Sequence, residues 1–82
     1  MGTLLRIDGF RVMIYTNDHA PAHVHLISSD GRAKIALNCP TGPAIPIDVR
    51  GIDSRVLKKV LPDINQHLLM LCQEWGTKHG AY

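Results

Sequence analysis

The fold is decided first by residues 4–15, which read LLRIDGFRVMIY. Apolar and polar side chains alternate on both sides of Asp8-Gly9, and such alternation is typical of a half-buried strand. Asp-Gly is a preferred pair for a two-residue type I′ turn, because both central residues of that turn need positive φ. This stretch therefore predicts a β-hairpin with one apolar face.

A second hairpin is predicted from residues 23–28 and 32–37, which alternate in the same way around Asp30-Gly31. With two-residue turns, each hairpin carries its aliphatic side chains on a single face. The core-facing residues are then Leu5, Ile7, Phe10, Val12, Ile14, Val24, Leu26, Ala33, Ile35 and Leu37. Residues 45–49 also alternate, but Pro46 cannot donate to a ladder, which predicts an edge strand.

Residues 54–76 carry a helical pattern instead. One apolar stripe, confined to an arc of roughly 120°, is formed by Leu57, Val60, Leu61, Ile64, Leu68, Leu71, Cys72 and Trp75. We expect Asp53 to cap the start of this helix and Gly76 to end it, which leaves residues 77–82 as a short tail. Pro62 lies off the stripe and predicts either a kink or a second helix that begins there.

A single amphipathic helix must bury its stripe, and the sheet supplies the surface that it needs. The sequence therefore predicts one α+β domain over residues 1–82, with an antiparallel sheet of about four or five strands over about residues 3–50. Two hairpins and an edge strand form the sheet, and one long C-terminal helix packs on one face. The polar side chains expected on the opposite, free face are Arg6, Arg11, Tyr15, His23, His25 and Lys34.

The composition is that of an ordinary globular domain: 82 residues, 45% hydrophobic and 20% charged, which excludes wholesale disorder. No apolar run reaches the roughly 18 residues of a membrane span, and no secretion signal is visible.

Two cysteines are too few for a disulfide framework, so we expect Cys39 to be a free loop thiol and Cys72 a core residue. A cytoplasmic location follows as an expectation. The net charge of +2 does not by itself require a nucleic-acid partner.

Residues 18–25 concentrate Asp18, His19, His23 and His25. His23 and His25 leave the same side of the predicted strand, whereas Asp18 and His19 lie upstream in the loop, at the rim of the free face.

Three interpretations stay open. In the first, the imidazoles fill ordinary positions with their ring nitrogens on backbone carbonyls. In the second, His19, His23 and His25 bind a transition metal, with Asp18 or Cys39 as a further ligand.

In the third interpretation, the free face binds phosphate groups of nucleic acid. The residues proposed for that surface are Arg6, Arg11, Tyr15, His23, His25 and Lys34. The candidates for acid–base chemistry on a phosphodiester are Asp18, His19, His23 and His25. No phosphate-binding glycine loop, dinucleotide fingerprint or serine-nucleophile elbow is present, so the sequence assigns no enzyme class.

Residues 17–25, Asn-Asp-His-Ala-Pro-Ala-His-Val-His, follow Met13-Ile14-Tyr15 and resemble the core of the small bacterial family called domain of unknown function 4160. That family has an Asp/Glu-His-x-Pro-Pro-His-x-His core. The predicted helix is also similar, at Arg55, Leu57, Val60, Leu61, Ile64, His67, Leu71 and Trp75. The chain departs from the family where Ala22 replaces a proline, where residues 38–51 form a longer connection, and where Pro62-Asp63 interrupts the helix.

The family has no established reaction. The resemblance implies a gene context similar to toxin–antitoxin pairs, in which some members are described as transcriptional regulators. We therefore expect a component of a two-gene unit that binds RNA, DNA or a small cognate protein encoded nearby. The alternatives are a histidine-dependent ribonuclease, a metal-assisted hydrolase, and a homodimeric interaction module.

Overall fold

The computed structural model describes residues 4–82, so the predicted start of the sheet at residue 3 lies outside the described residues. The strands are β1 (Leu5–Ile7), β2 (Phe10–Met13), β3 (His23–Ile27), β4 (Arg32–Ala36) and β5 (Ile45–Arg50). The helices are α1 (Ser54–Gln66) and α2 (Leu68–His79). The five strands form one antiparallel sheet in chain order, which confirms the predicted α+β class and the edge position of β5.

The first hairpin turns as predicted. Asp8 and Gly9 both adopt positive φ, at 48° and 83°, which is the requirement of a type I′ turn. In the second hairpin Ile27 pairs with Arg32, so the turn is centred on residues 29–30 rather than on Asp30-Gly31. The register is shifted by an even number of residues, so each side chain stays on the face predicted for it.

The core lies between one face of the sheet and the stripe of the helices. The side chains without any exposed surface are Val12, Val24, Leu26, Ile35, Leu37, Val60, Ile64, Leu71 and Trp75. Of the residues predicted to face the core, only Leu5 and Leu61 are partly rather than fully buried. Among the described residues, no helix is both long enough and apolar enough to cross a membrane.

The predicted single helix is two helices, and they separate at His67 rather than at Pro62, which lies inside α1. The Nδ1–H of His67 donates to the carbonyl oxygen of Asp63 at 2.9 Å. The side-chain amide of Asn65 donates to the carbonyl oxygen of Leu61 at 3.1 Å. Side chains that bond to helical carbonyls compete with the backbone N–H donors. Asn65 lies in the last turn of α1 and His67 directly follows that turn. The helix therefore ends there.

The end of α2 also differs from the prediction. The helix continues past Gly76 to His79, and Gly80 ends it with a φ of 81° and an N–H that donates to the carbonyl oxygen of Gly76 at 2.8 Å. Gly80 thus has the left-handed conformation that glycine adopts without strain after a helix.

Residues 80–82 are not a loose tail. The indole N–H of Trp75 donates to the carbonyl oxygen of Ala81 at 2.7 Å, and the N–H of Ala22 donates to the carbonyl oxygen of Tyr82 at 3.2 Å. The imidazole Nε2–H of His79 donates to the carbonyl oxygen of Tyr15 at 3.1 Å. The chain end is therefore fixed against the start of β3, where the histidine motif begins.

A disulfide joins Cys39 to Cys72, with the two Cα atoms 5.8 Å apart. The expectation of a free loop thiol and an unpaired core cysteine is therefore wrong. The connection between β4 and β5 folds back onto the helices, where the N–H of Ala44 donates to Oδ1 of Asn65 at 2.9 Å. This return brings Cys39 to the buried stripe that carries Cys72. The sequence contains no local signal of that contact.

Candidate functional site

The side chains of Asp18, His23 and His25 meet at one end of the free face, and we call them the Asp18 cluster. Nε2 of His25 lies 3.1 Å from Oδ2 of Asp18, and Nε2 of His23 lies 3.5 Å from Oδ1. The Asp18 side chain is only 11% exposed. Asp18 therefore lies between the two imidazoles, and the prediction that placed it at the rim is wrong.

The loop after β2 positions this carboxylate. The N–H of Tyr15 donates to Oδ2 of Asp18 at 2.9 Å, and the N–H of Asp18 donates back to the carbonyl oxygen of Tyr15 at 3.2 Å. These two bonds close the loop from Tyr15 to Asp18 and fix the position of the carboxylate. Burial raises the pKa of Asp18, but the bonds from Tyr15 and His25 and the charges of the imidazoles outweigh it and hold that pKa below its usual 3.8. The carboxylate is therefore kept ionised.

His23 and His25 leave the same side of β3, as predicted, with their ring centroids 5.2 Å apart. The expectation that His23 projects into solvent is wrong, because this residue is only 7% exposed. Its ring packs 5.1 Å from that of Trp75, and its Nδ1–H donates to the carbonyl oxygen of Pro21 at 2.9 Å. The end of α2 covers this part of the strand, so His23 does not belong to an open binding surface.

His25 is half-buried and lies on the open side of the Asp18 cluster. The ring of Tyr15 packs on it at a centroid distance of 4.4 Å. Both residues line a surface pocket of about 290 Å³, together with Arg32, Lys34 and Asp48. The structure thus brings Tyr15, His25 and Lys34 together, which the strand phase predicted.

His19 takes no part in this arrangement: its side chain is exposed and, among the described residues, forms no hydrogen bond or ion pair with the Asp18 cluster. The set of side chains placed to hold a metal ion is Asp18, His23 and His25, whose ligand atoms all lie within 4.8 Å of one another. Asp18 thus replaces His19 in the predicted metal set. Cys39 is excluded as a further ligand because its sulfur is in the disulfide.

Four arginines form a line across the free face. Arg6 pairs with Arg11, Arg11 with Ile27, Ile27 with Arg32, and Arg32 with Arg50, so that one cross-strand row spans all five strands. All four arginines are exposed. Because neighbouring strands lie about 4.8 Å apart, this arginine row is roughly 19 Å long.

The sequence predicted only half of the arginine row, namely Arg6 and Arg11. Arg32 has the same strand phase as Lys34, so the alternation that placed Lys34 on the free face also placed Arg32 there. Arg50 is different, because a bulge between Lys34 and Ile35 sets the register of β5. No sequence pattern indicated that bulge.

The arginine row has little charge compensation. Within residues 4–82, Arg50 is the one member with an ion pair, at 3.5 Å to Asp48, and both side chains are more than half exposed. Such an exposed pair contributes little to stability. Like charges directly opposite each other on neighbouring strands are destabilising. This applies to Arg6 with Arg11 and to Arg32 with Arg50, whereas Ile27 separates the two pairs.

A family profile described as "Domain of unknown function (DUF4160)" matches residues 9–76. The match covers more than half of the chain and includes the complete Asp18 cluster and three of the four arginines in the row. No curated protein and no solved structure matches the chain.

Proposed function

The chain belongs to the DUF4160 family of domains of unknown function, and we propose that it binds nucleic acid through the arginine row on its free sheet face. The proposal depends on one observation, the arginine row. Four exposed guanidinium groups that form two directly opposed pairs and have one weak ion pair among them are suited to a polyanionic ligand. The phosphate backbone supplies most of the affinity in such binding.

The geometry suits a linear run of phosphates. Guanidinium groups donate bidentate hydrogen bonds to phosphate oxygens. In the arginine row, these groups follow one another along a single line across the sheet. Arg32 lies between two surface pockets, of about 290 and 540 Å³, and lines both. Lys34 and His25 are paired next to the row and add donors on one side of it. The ligand contacts proposed are therefore Arg6, Arg11, Arg32, Arg50, Lys34 and His25.

Two alternatives fit this surface less well. A homodimer closed through the free face would bring two copies of the same positive patch together, since a two-fold interface uses one patch on both subunits. A ribonuclease that uses His23 and His25 as acid and base needs both imidazoles at the substrate. Of these two, only His25 lines a pocket, while His23 is 7% exposed. A dimer formed elsewhere on the molecule stays a prediction.

The wider context also stays a prediction. Membership of a two-gene unit similar to toxin–antitoxin pairs, a small cognate protein as partner, and a cytoplasmic location all derive from the sequence and from the family resemblance. Nucleic-acid binding is the part of that expectation that the arginine row supports.

The test is equilibrium binding of a short labelled single-stranded RNA, with the same sequence as DNA in parallel. Arg11→Gln/Arg32→Gln removes two phosphate contacts from the middle of the row. At about 0.1 M salt each contact with a single strand contributes roughly fivefold, so we expect about 25-fold weaker binding. The matched control is Lys58→Gln/Lys59→Gln, which removes the same charge from the exposed side of α1. Equal weakening in both variants, or no binding by the wild type, would contradict the proposal.

A further inference from the structure

When His23 is neutral, the Asp18 cluster contains an unfavourable contact that a cation relieves. A carbonyl oxygen can only accept, so the 2.9 Å bond to Pro21 places the proton of a neutral His23 on Nδ1. The Nε2 atom then presents a lone pair to the Asp18 carboxylate, 3.5 Å away. Two electron-rich groups at that distance repel each other unless a positive charge lies between them. The His23 side chain is 10% exposed, so water compensates little.

A proton or a metal ion satisfies this arrangement, and the donor set favours the metal. Two imidazoles and one carboxylate are the ligands of many Zn²⁺ and non-haem Fe²⁺ sites, in which three protein ligands leave further positions open. Bonds of about 2.0–2.2 Å to a tetrahedral ion hold the donor atoms roughly 3.3–3.6 Å apart. The 3.5 Å between Asp18 and Nε2 of His23 falls in this range. The 3.1 Å between Asp18 and Nε2 of His25 is slightly shorter, because without an ion these two groups form a hydrogen bond, and an ion would replace the proton between them.

Each of the three side chains is also held by a neighbour outside the cluster. The Pro21 carbonyl fixes the tautomer and orientation of His23, and the N–H of Tyr15 fixes Asp18. The Tyr15 ring packs on His25. Outer contacts of this kind, a carbonyl on the second ring nitrogen above all, accompany metal-binding histidines in proteins.

We propose that Asp18, His23 and His25 form a binding site for one divalent transition-metal ion of the Zn²⁺ class. The ion is reached from the side of His25, which borders the pocket on the free face. The metal site shares His25 with the proposed nucleic-acid surface, but none of its three ligands belongs to the arginine row. Binding of the metal alone therefore tests this proposal separately from nucleic-acid binding.

The test uses the full chain without an affinity tag, with its disulfide intact, titrated with Co²⁺ or Zn²⁺ alone. We expect one ion per chain, with a visible Co²⁺ spectrum of low coordination number. Asp18→Asn and His25→Gln each remove one ligand with little change of shape. Each is expected to weaken binding at least about 100-fold, because loss of an outer-shell partner alone weakens it 10–100-fold. His19→Ala, which removes an exposed imidazole from the same loop, is the control and is expected to bind as the wild type does.

Thermal unfolding shows whether each variant is folded, so that loss of a metal ligand can be distinguished from loss of structure. An ion that binds only the folded chain raises the melting temperature as its concentration increases. We expect this rise for the wild type and for His19→Ala, and not for Asp18→Asn or His25→Gln. If Asp18→Asn does not fold, His25→Gln, at the half-buried edge of the cluster, decides the question. Absence of binding by the wild type, or equal binding by wild type and His25→Gln, would overturn the proposal.

Discussion

The imidazole of His23 and the indole of Trp75 pack against each other with their centroids 5.1 Å apart. The contact joins the first residue of β3 to the last turns of α2. Trp75 is also 4.2 Å from the ring of His79, so one indole lies between two imidazoles. The motif that marks the family is therefore partly a structural contact between the sheet and the end of the second helix.

The burial of His23 predicts a loss of stability on truncation. His23→Ala leaves a cavity against Trp75 and removes the donor to the Pro21 carbonyl. We expect the free energy of unfolding to fall by roughly 1–3 kcal/mol in urea titrations. His19→Ala, at an exposed position, is expected to change it by less than about 0.5 kcal/mol. Equal effects of the two substitutions would show that His23 is not packed as described.

The C-terminal residues are predicted to stabilise the domain through their backbone. Deletion of Ala81 and Tyr82 removes the carbonyl acceptors of the Trp75 indole and of the Ala22 N–H, both of which are buried. Leaving buried donors unpaired destabilises by roughly 1–3 kcal/mol, measured by chemical denaturation. Tyr82→Ala keeps both carbonyls and is the control, with an expected effect below about 0.5 kcal/mol. A deletion no more harmful than Tyr82→Ala would contradict this role.

The disulfide gives a third prediction. It closes a loop with a sequence separation of 33, for which the chain-entropy account predicts a stabilisation of roughly 3–4 kcal/mol. Cys39→Ala/Cys72→Ala is expected to lose about that amount. A reducing agent should lower the stability of the wild type to a similar degree and leave the double variant unchanged. Peptide mapping without reductant that finds both thiols free in air-oxidised protein would refute the bond.

Much of the fold was predictable because it depends on local periodicity. The alternation of strand residues determines which face each side chain occupies. The predicted turn at Asp30-Gly31 was displaced, but the register shift was even, so every side chain stayed on its predicted face. The helix break was misplaced because Pro62 is a visible helix breaker, whereas the side-chain bonds of Asn65 and His67 depend on the folded conformation. The Cys39–Cys72 bond depends on a long return of the chain and has no local signal.

The candidate site was predictable only in part, because strand periodicity determines the face of a side chain but not its contacts with loops and helices. Strand phase placed His23 and His25 on one side of β3, but not the indole that buries His23. Asp18 enters the cluster through a loop conformation that periodicity does not describe. The alternation that identified Lys34 also places Arg32 on the free face, so Arg32 could have been predicted. Arg50 could not, because the bulge in β5 determines its register.

The salt dependence of nucleic-acid binding tests the central claim most directly. For a single strand, the slope of log K against log salt concentration is about −0.7 for each phosphate contact, so the four arginines and Lys34 predict a slope near −3.5. The Arg11→Gln/Arg32→Gln variant keeps three of these five contacts and is predicted to show about −2.1, while Lys58→Gln/Lys59→Gln keeps the wild-type value. A wild-type slope near zero, or the same slope in the wild type and the arginine variant, would contradict binding through the arginine row.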